Sequence, residues 1–154
     1  MSFLSRTLVL PLVLCSLASS AGAVDDFLDP QAAFRFSARM ADANTLEATW
    51  TIAEGYYMYR ERFAFKADSA QLGAPHIPPG KMKFDETFNK EVEMYRHKVT
   101  IRVPVKAGGQ YTLAATGQGC ADKGLCYAPQ TVTVQLSATG ESAPRNKFGL
   151  PAAR

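Results

Sequence analysis

Alternation of apolar and polar residues predicts β-strands along most of the chain. In residues 45–52 every second position is apolar, which is the pattern of a strand with one buried face. The same alternation recurs within residues 91–105. The apolar positions of these two stretches are Leu46, Ala48, Trp50, Ile52, Val99, Ile101, Val103 and Val105.

Weaker strand patterns and turn residues fill the rest of the chain. Further strands are predicted in residues 32–38, 56–66, 110–116 and 130–136, with turns at 54–55 and 107–109. The proline- and glycine-rich residues 73–83 indicate a loop, and residues 84–90 form a polar stretch with two isolated phenylalanines. There is no pattern of a long amphipathic helix. Six to nine short strands with turns between them predict an all-β fold, an immunoglobulin-like β-sandwich.

The first 23 residues have the pattern of a secretory signal peptide. A positive charge at Arg6 precedes a short apolar run, and the segment ends in Ala-Gly-Ala, so we expect cleavage after Ala23. The apolar run is shorter than the roughly 20 residues that span a bilayer. A lipid anchor at Cys15 is the alternative, but Leu14 stands where a lipoprotein signal has a small residue. We expect one domain over residues 24–137 and a flexible tail over 138–154.

Charge and size limit the functional classes. The net charge of +3 falls to +2 when the signal peptide takes Arg6 with it. A chain this balanced, without a basic stripe, does not indicate a nucleic-acid-binding protein. A domain of this size buries an adequate core without help from a disulfide.

Two cysteines remain after cleavage, Cys120 and Cys126, and the pair has two interpretations. Most paired cysteines of exported proteins are structural, yet closing so short a loop contributes only about 2 kcal/mol in the chain-entropy model. The alternative is a reactive pair, because Gly119 and Gly124 let the backbone bend around the sulfurs and exposed disulfides are the more easily reduced ones. Thiol–disulfide exchange requires no metal and no cofactor.

Other candidate chemistry is weaker. His76 and His97 lie in different contexts, a proline loop and an expected strand face, and are interpreted as surface or hydrogen-bonded residues. Four scattered methionines raise the alternative of a copper-binding accessory protein, since thioethers suit Cu(I), but no short motif links them. They are Met40, Met58, Met82 and Met94. Neither a cofactor nor a metal is therefore predicted.

Three stretches resemble one known family. The cysteine motif GCADKGLCYAP is similar to that of the N-terminal periplasmic domain of DsbD, the bacterial thiol:disulfide interchange protein. GYYMYRERF and FDETFNKEVEMYR resemble two further stretches of that domain, in the same order and at similar spacing. The resemblance extends over most of residues 30–137. It implies an immunoglobulin-like sandwich whose two cysteines carry electrons.

The resemblance also implies roles for individual residues. Cys126 matches the cysteine that forms mixed disulfides with partners, and Cys120 matches the resolving cysteine. Phe88 matches the aromatic residue of a cap loop that covers the disulfide. Tyr57 and Tyr59 match tyrosines that line the site.

The acidic part of the cap departs from the family pattern. The family has two carboxylates directly before the phenylalanine, whereas this chain reads Asp85-Glu86-Thr87-Phe88. A carboxylate near the cysteines disfavours the thiolate form and slows unwanted reactions. Whether Asp85 or Glu86 does so stays open at this stage.

The resemblance implies a place in an electron-transfer chain. The expected reductant is a thioredoxin-like or membrane-embedded thiol protein, and the expected clients are a periplasmic disulfide isomerase or a cytochrome c maturation oxidoreductase. The family continues into a membrane domain and a thioredoxin-like domain, so a sequence that stops at Arg154 suggests a free-standing monomer whose reductant is another polypeptide. The alternative function is an exported immunoglobulin-like binding module with a structural disulfide.

Overall fold

A computed structural model of the protein describes residues 27–85 and 89–138. The expected signal peptide, Glu86, Phe88 and all of the expected tail except Ala138 lie outside the described residues. The elements are α1 (Pro30–Ala33), β1 (Phe34–Asp42), β2 (Thr45–Ile52), β3 (Tyr56–Tyr59), a 3-10 turn (Arg60–Arg62), β4 (Ala64–Ala67), β5 (Ala70–Leu72), β6 (Lys81–Asp85), β7 (Lys90–Tyr95), β8 (Lys98–Ala107), β9 (Gln110–Gly117), β10 (Gly119–Ala121) and β11 (Gln130–Ser137). Within these two ranges no helix is long and apolar enough to cross a membrane.

In the described part of the chain the strands form three antiparallel sheets, in the orders β1-β2-β8-β5, β10-β3-β7-β6 and β11-β9-β4. Their inward faces share one apolar core. The predicted all-β fold, an immunoglobulin-like β-sandwich, is confirmed.

The strongest strand pattern of the sequence is found as predicted. Strand β2 begins at Thr45 and ends at Ile52, and its four apolar positions are buried while the intervening ones are half-exposed. It pairs with β8, where Trp50 stands opposite Val99 and Leu46 opposite Val103. Alternation identified these strands because one face of each is buried in the core.

The structure corrects several of the predicted elements. Residues 56–66 were expected to be strand, but the 3-10 turn separates β3 from β4 there. Residues 32–38 were expected to be strand, but α1 precedes β1, with Pro30 at the start of the helix where its missing N–H is no loss. Part of the expected loop and polar stretch is strand β6, an edge strand with four exposed residues and therefore no burial pattern. Residues 91–105 contain the predicted strand as β8, with β7 before it, and the chain turns sharply between them at His97, whose φ is +61°.

The two histidines lie in different settings. His97 is in that turn and not on a strand face, and its Nδ1 atom lies 3.4 Å from the Glu54 carboxylate. His76 is exposed and forms a β-bridge with Arg102.

The sheet β10-β3-β7-β6 has apolar residues on both faces. On strand β3, Tyr56 and Met58 point into the shared core. Tyr57 and Tyr59 point to the outer face, where a second apolar cluster forms. That cluster consists of Tyr57, Tyr59, Val92, Met94 and Cys120. A sheet face of a sandwich is normally polar where it meets water, so this outer cluster marks the candidate site.

Candidate active site

The two cysteines form a disulfide across a short hairpin. Cys120 lies on β10 and faces Cys126 in an isolated antiparallel bridge, with their Cα atoms 4.0 Å apart. The flanking residues make the ladder hydrogen bonds, from Ala121 N–H to the Leu125 carbonyl and from Tyr127 N–H to the Gly119 carbonyl. The cysteines are therefore the non-hydrogen-bonded pair, where opposing side chains approach most closely.

Two glycines shape this hairpin, each for a different reason. Gly124 has φ of +98°, and its N–H bonds to the Ala121 carbonyl, as in a three-residue hairpin loop whose last position is left-handed. Gly119 pairs with Met58 on β3. A Cβ atom at Gly119 would lie 2.3 Å from the Tyr57 carbonyl oxygen and 2.6 Å from the Phe34 ring. Only a glycine therefore lets β10 lie this close to its neighbours.

The two cysteine residues differ in their access to solvent. Cys120 is completely buried at 0% exposure, within the outer cluster. Cys126 is exposed, next to the exposed Leu125. An incoming thiolate must reach the sulfur that it attacks, so this geometry is the one expected for attack at Cys126 with Cys120 as the leaving group.

Tyr59 and Asp85 form a buried polar contact behind Cys120. The Tyr59 hydroxyl donates a hydrogen bond of 2.7 Å to Asp85, and its oxygen lies 3.3 Å from the Cys120 sulfur. Asp85 is 6% exposed although it is a carboxylate at the end of an edge strand. Burial, together with the hydrogen bonds to Tyr57 and Asp85, raises the pKa of Tyr59 far above its usual range. Tyr59 is therefore a neutral phenol at every physiological pH.

Tyr57 lies between the disulfide and a pair of charged residues, Arg96 and Asp122. Its backbone pairs with Cys120, and its ring stands edge-on to the ring of Tyr59 with centroids 5.4 Å apart. The guanidinium of Arg96 lies over the Tyr57 ring, 5.3 Å from its centroid. Arg96 also forms two hydrogen bonds to Asp122, inside the disulfide loop. These bonds hold the pKa of the Asp122 carboxyl below its usual value.

The residue after Cys126 is held from the N-terminal side of the chain. The Tyr127 hydroxyl donates a 2.6 Å hydrogen bond to the Leu28 carbonyl, and the Leu28 N–H donates one of 2.8 Å to the Tyr56 hydroxyl. The rings of Tyr56 and Tyr127 both pack edge-on against Phe34. The second half of the hairpin therefore rests on an aromatic base.

Sequence reasoning singled out most residues of this site and missed an important pair. The structure brings together Cys120, Cys126, Tyr57, Tyr59 and Asp85. Glu86 and Phe88 lie outside the described residues. The pair that was missed is Arg96 with Asp122. Both stand inside quoted motifs, and the signal that would have linked them is their opposite charge.

The methionines do not gather into a site. Met58 lies in the shared core and Met94 in the outer cluster, on opposite faces of one sheet. Met82 is exposed on β6, and Met40 accepts a hydrogen bond from Tyr111. In residues 27–85 and 89–138, no three His, Cys, Asp or Glu side chains are arranged to hold a metal ion.

Comparison with known sequences gives consistent matches. The family model "Thiol:disulfide interchange protein DsbD, N-terminal" matches residues 24–138. The thiol:disulfide interchange protein DsbD of Ralstonia nicotianae is 52% identical over 132 residues, which cover 82% of this chain and 22% of the relative. DsbD of Escherichia coli is 37% identical over 138 residues, covering 86% of this chain and 24% of the relative. The chain thus spans about a fifth to a quarter of the length of these relatives.

Comparison with solved structures agrees. The reduced form of the DsbD N-terminal domain of Neisseria meningitidis superposes with a TM-score of 0.68 and 32% identity, over 80% of this chain and 100% of that one. A complex between the DsbD N-terminal and PilB N-terminal domains of the same organism gives a TM-score of 0.65 and 31% identity, over 80% of this chain and 95% of that one.

Proposed function

The chain belongs to the family of DsbD N-terminal domains, and on that premise we propose that it is a periplasmic thiol–disulfide exchange protein, cycling between a Cys120–Cys126 disulfide and a dithiol. The observation that carries the proposal is the asymmetry of the pair, with an exposed Cys126 and a buried Cys120 beside Tyr59 and Asp85. A disulfide that served only to staple a hairpin needs neither an exposed sulfur nor a buried carboxylate behind the other one.

The reductive half of the cycle begins at Cys126. A thiolate of the reductant attacks the Cys126 sulfur, the bond to Cys120 breaks, and its electron pair leaves on Cys120, which takes up a proton. The second thiol of the reductant then attacks the mixed disulfide. The reductant leaves as a disulfide, and the domain has gained two electrons and two protons as a dithiol.

The oxidative half returns these electrons to a client. The Cys126 thiolate attacks the disulfide of the client and forms a mixed disulfide. Cys120, directly opposite in the hairpin, then attacks the Cys126 sulfur and releases the reduced client. The close pairing of the two residues supports a fast resolving step, because the reacting groups are already oriented.

Asp85 is the carboxylate that we assign to tuning the pair. It reaches Cys120 through the Tyr59 hydroxyl, whose single proton is donated to Asp85. The Tyr59 oxygen therefore presents a lone pair to Cys120, and the carboxylate charge lies behind it. Both disfavour negative charge on the Cys120 sulfur. The Cys120 thiol of the reduced domain thereby resists oxidation in an oxidising compartment, since the thiolate is the reactive form.

The partners follow from the chemistry and from the relatives. One similar structure is a complex between a DsbD N-terminal domain and a PilB N-terminal domain, which supports docking of a second protein domain on this chain. We assign a thioredoxin-like or membrane-embedded thiol protein as reductant, and a periplasmic disulfide isomerase or cytochrome c maturation oxidoreductase as client. In this scheme the chain acts as the reductase component of a thiol:disulfide oxidoreductase system.

Single-cysteine variants test the proposal. The reduced Cys120→Ser variant, mixed with an oxidised thioredoxin-like domain, is expected to accumulate a mixed disulfide, because the resolving sulfur is missing. The Cys126→Ser variant is expected to trap no partner, because Cys120 is buried. Non-reducing electrophoresis separates the two outcomes. Equal and stable trapping by both variants would contradict the assigned roles.

A further inference from the structure

Arg96 contacts both the turn of the disulfide hairpin and the neighbouring strand β3. It follows β7 directly and precedes His97, whose positive φ turns the chain into β8. Its Nη1 and Nη2 atoms donate hydrogen bonds of 2.8 and 2.6 Å to the two carboxylate oxygens of Asp122. This is the parallel two-bond geometry that the planar guanidinium favours.

The same guanidinium is also held by two residues of strand β3. It lies over the Tyr57 ring at 5.3 Å, and Nη1 makes a longer contact of 3.4 Å with the Tyr56 carbonyl oxygen. An exposed ion pair between two free side chains contributes little, because both must be ordered first. Here the arginine is already ordered by its contacts with β3, so less entropy is lost when Asp122 binds.

Asp122 is the point at which the turn of the hairpin is attached to the sheet. Besides its carboxylate bonds to Arg96, its backbone N–H donates a 2.8 Å hydrogen bond to the Gly55 carbonyl. Cys120 is held separately by the pairing of β10 with β3. The arm that carries Cys126 returns from this turn. When the disulfide is broken, the attachment at Asp122 limits how far that arm can move.

We propose that Arg96 is a positioning residue which, through Asp122, keeps the hairpin closed in the dithiol state and so sets the effective concentration of Cys126 at Cys120. The proposal rests on the proposed function of the cysteine pair. The relevant equilibrium is protein disulfide plus two glutathione thiols to protein dithiol plus glutathione disulfide, a transfer of two electrons. Without Arg96 the dithiol gains conformational freedom, so closing the disulfide costs more and the equilibrium shifts toward the dithiol.

The linkage works in both directions. A closed disulfide already orders the loop, so the Arg96–Asp122 pair forms at lower entropic cost in the oxidised protein than in the reduced one. Removal of Arg96 must therefore destabilise the oxidised form more than the reduced form. This difference distinguishes a redox-linked anchor from a contact that merely supports the fold.

The test compares the thiol–disulfide equilibrium of wild type, Arg96→Ala, Arg96→Lys, Asp122→Ala and the Arg96→Ala/Asp122→Ala double variant. Each is equilibrated in dithiothreitol or glutathione buffers and quantified by thiol trapping. The equilibrium constant for reduction of Arg96→Ala should rise three- to tenfold, which is about 15–30 mV in reduction potential. The equilibrium constants of Asp122→Ala and the double variant should match that of Arg96→Ala. The constant of Arg96→Lys should lie between those of wild type and Arg96→Ala, because lysine keeps the charge but cannot form the two parallel hydrogen bonds.

Two measurements keep the result specific. Arg102→Ala is the matched control, since Arg102 bonds Glu47 on another sheet and its loss should leave the equilibrium unchanged. The glutathione mixed disulfide on Cys126 should also persist three- to tenfold longer in Arg96→Ala, because Cys120 resolves it more slowly. An unchanged equilibrium and an unchanged lifetime in a folded Arg96→Ala variant would overturn the proposal. Because dithiothreitol also reduces structural disulfides, the comparison gives an answer even if the wild-type pair fails to exchange with a thioredoxin-like partner.

Discussion

The sulfur of Cys120 lies 3.3 Å from the hydroxyl oxygen of Tyr59, with no exposure to solvent. Tyr59 gives its proton to Asp85 and so turns a lone pair toward the sulfur. Cys120, which leaves as a thiolate in the proposed cycle, thus faces an electron-rich oxygen and, behind it, a carboxylate. We therefore expect the isolated domain to exchange slowly, until a docked partner stabilises the thiolate of Cys120.

Asp85→Asn is expected to speed reduction of the disulfide by dithiothreitol at pH 7 by about tenfold. The carboxylate is within about 6 Å of the sulfur, because contacts of 2.7 and 3.3 Å join them through Tyr59. At an effective dielectric constant of about 20, the carboxylate opposes a full negative charge on the sulfur by roughly 3 kcal/mol. About half of that charge develops in the transition state, so about half of this energy opposes the reaction. Stopped-flow measurement of thiol release gives the rate.

Asp68→Asn is the matched control for this substitution. Asp68 is exposed and its carboxylate bonds the Thr112 N–H on β9, away from the cysteines, so the same charge change should leave the exchange rate unaltered. An Asp85→Asn variant that is reduced no faster than wild type would remove Asp85 from the tuning role.

Tyr59 should leave a signature in the alkaline stability of the protein. Its pKa is raised by burial and by hydrogen bonds, so the folded state holds the phenolic proton when the unfolded chain has lost it. The free energy of unfolding should therefore be independent of this group below about pH 10 and fall as the pH rises further, by up to about 1.4 kcal/mol per pH unit. The free energy of unfolding of Tyr59→Phe should fall less steeply by that amount. Denaturant unfolding between pH 9 and 11.5 measures it. Parallel curves for the two proteins would be inconsistent with the buried neutral phenol.

Gly119→Ala should destabilise the domain by about 2–3 kcal/mol, since the new methyl group would meet the Tyr57 carbonyl and the Phe34 ring, and backbone cannot move aside as a side chain can. Gly109→Ala is the control, because nothing lies within 4 Å of its Cβ position and its φ is ordinary. Urea unfolding of both variants measures the difference. A Gly119→Ala protein as stable as the control would show that β10 does not need its close approach to β3.

Arg60→Ala should lower the free energy of unfolding by about 2–3 kcal/mol, which is well above the effect of removing a surface arginine. Arg60 donates hydrogen bonds to the carbonyl oxygens of Ile77 and Pro78 and to the Tyr95 hydroxyl, and so secures the proline loop that leads into β6 and Asp85. Arg39→Ala, which removes an ion pair with Glu47 from a largely exposed side chain, should cost less than about 1 kcal/mol. If urea unfolding showed equal losses of stability for Arg60→Ala and Arg39→Ala, Arg60 would not have this role in holding the proline loop.

The sequence predicts this fold best where one face of a strand is buried. Strands β2 and β8 show that alternation, so the buried positions of both and the bounds of β2 were predicted from the sequence. Strand β6 lies at a sheet edge with exposed Met82 and Phe84, so its sequence has no alternation of buried and exposed positions that would predict a strand. The turn at His97 depends on a left-handed backbone conformation at a residue that is not glycine, for which the local sequence carries no signal.

The site was predicted through motifs rather than through patterns. Cysteine content alone favours a structural disulfide and leaves a reactive one open, and only the resemblance to a family points to the reactive pair and the tyrosines beside it. The unequal exposure of Cys120 and Cys126 was beyond the sequence, because it arises from the outer cluster on β3 and β7. The same holds for Arg96 and Asp122, whose meeting depends on how the hairpin folds back over Gly55.

The reduction potential of the Cys120–Cys126 pair tests the central claim most directly. Purified protein is equilibrated across a series of glutathione and dithiothreitol buffers, and the free thiols are trapped and counted. The account predicts a value between roughly −180 and −270 mV, the range of working thiol oxidoreductases, which lets the pair both accept and donate electrons. A value below about −300 mV would identify a structural disulfide and contradict the account. An exported binding module with a stapled hairpin would then be the better description.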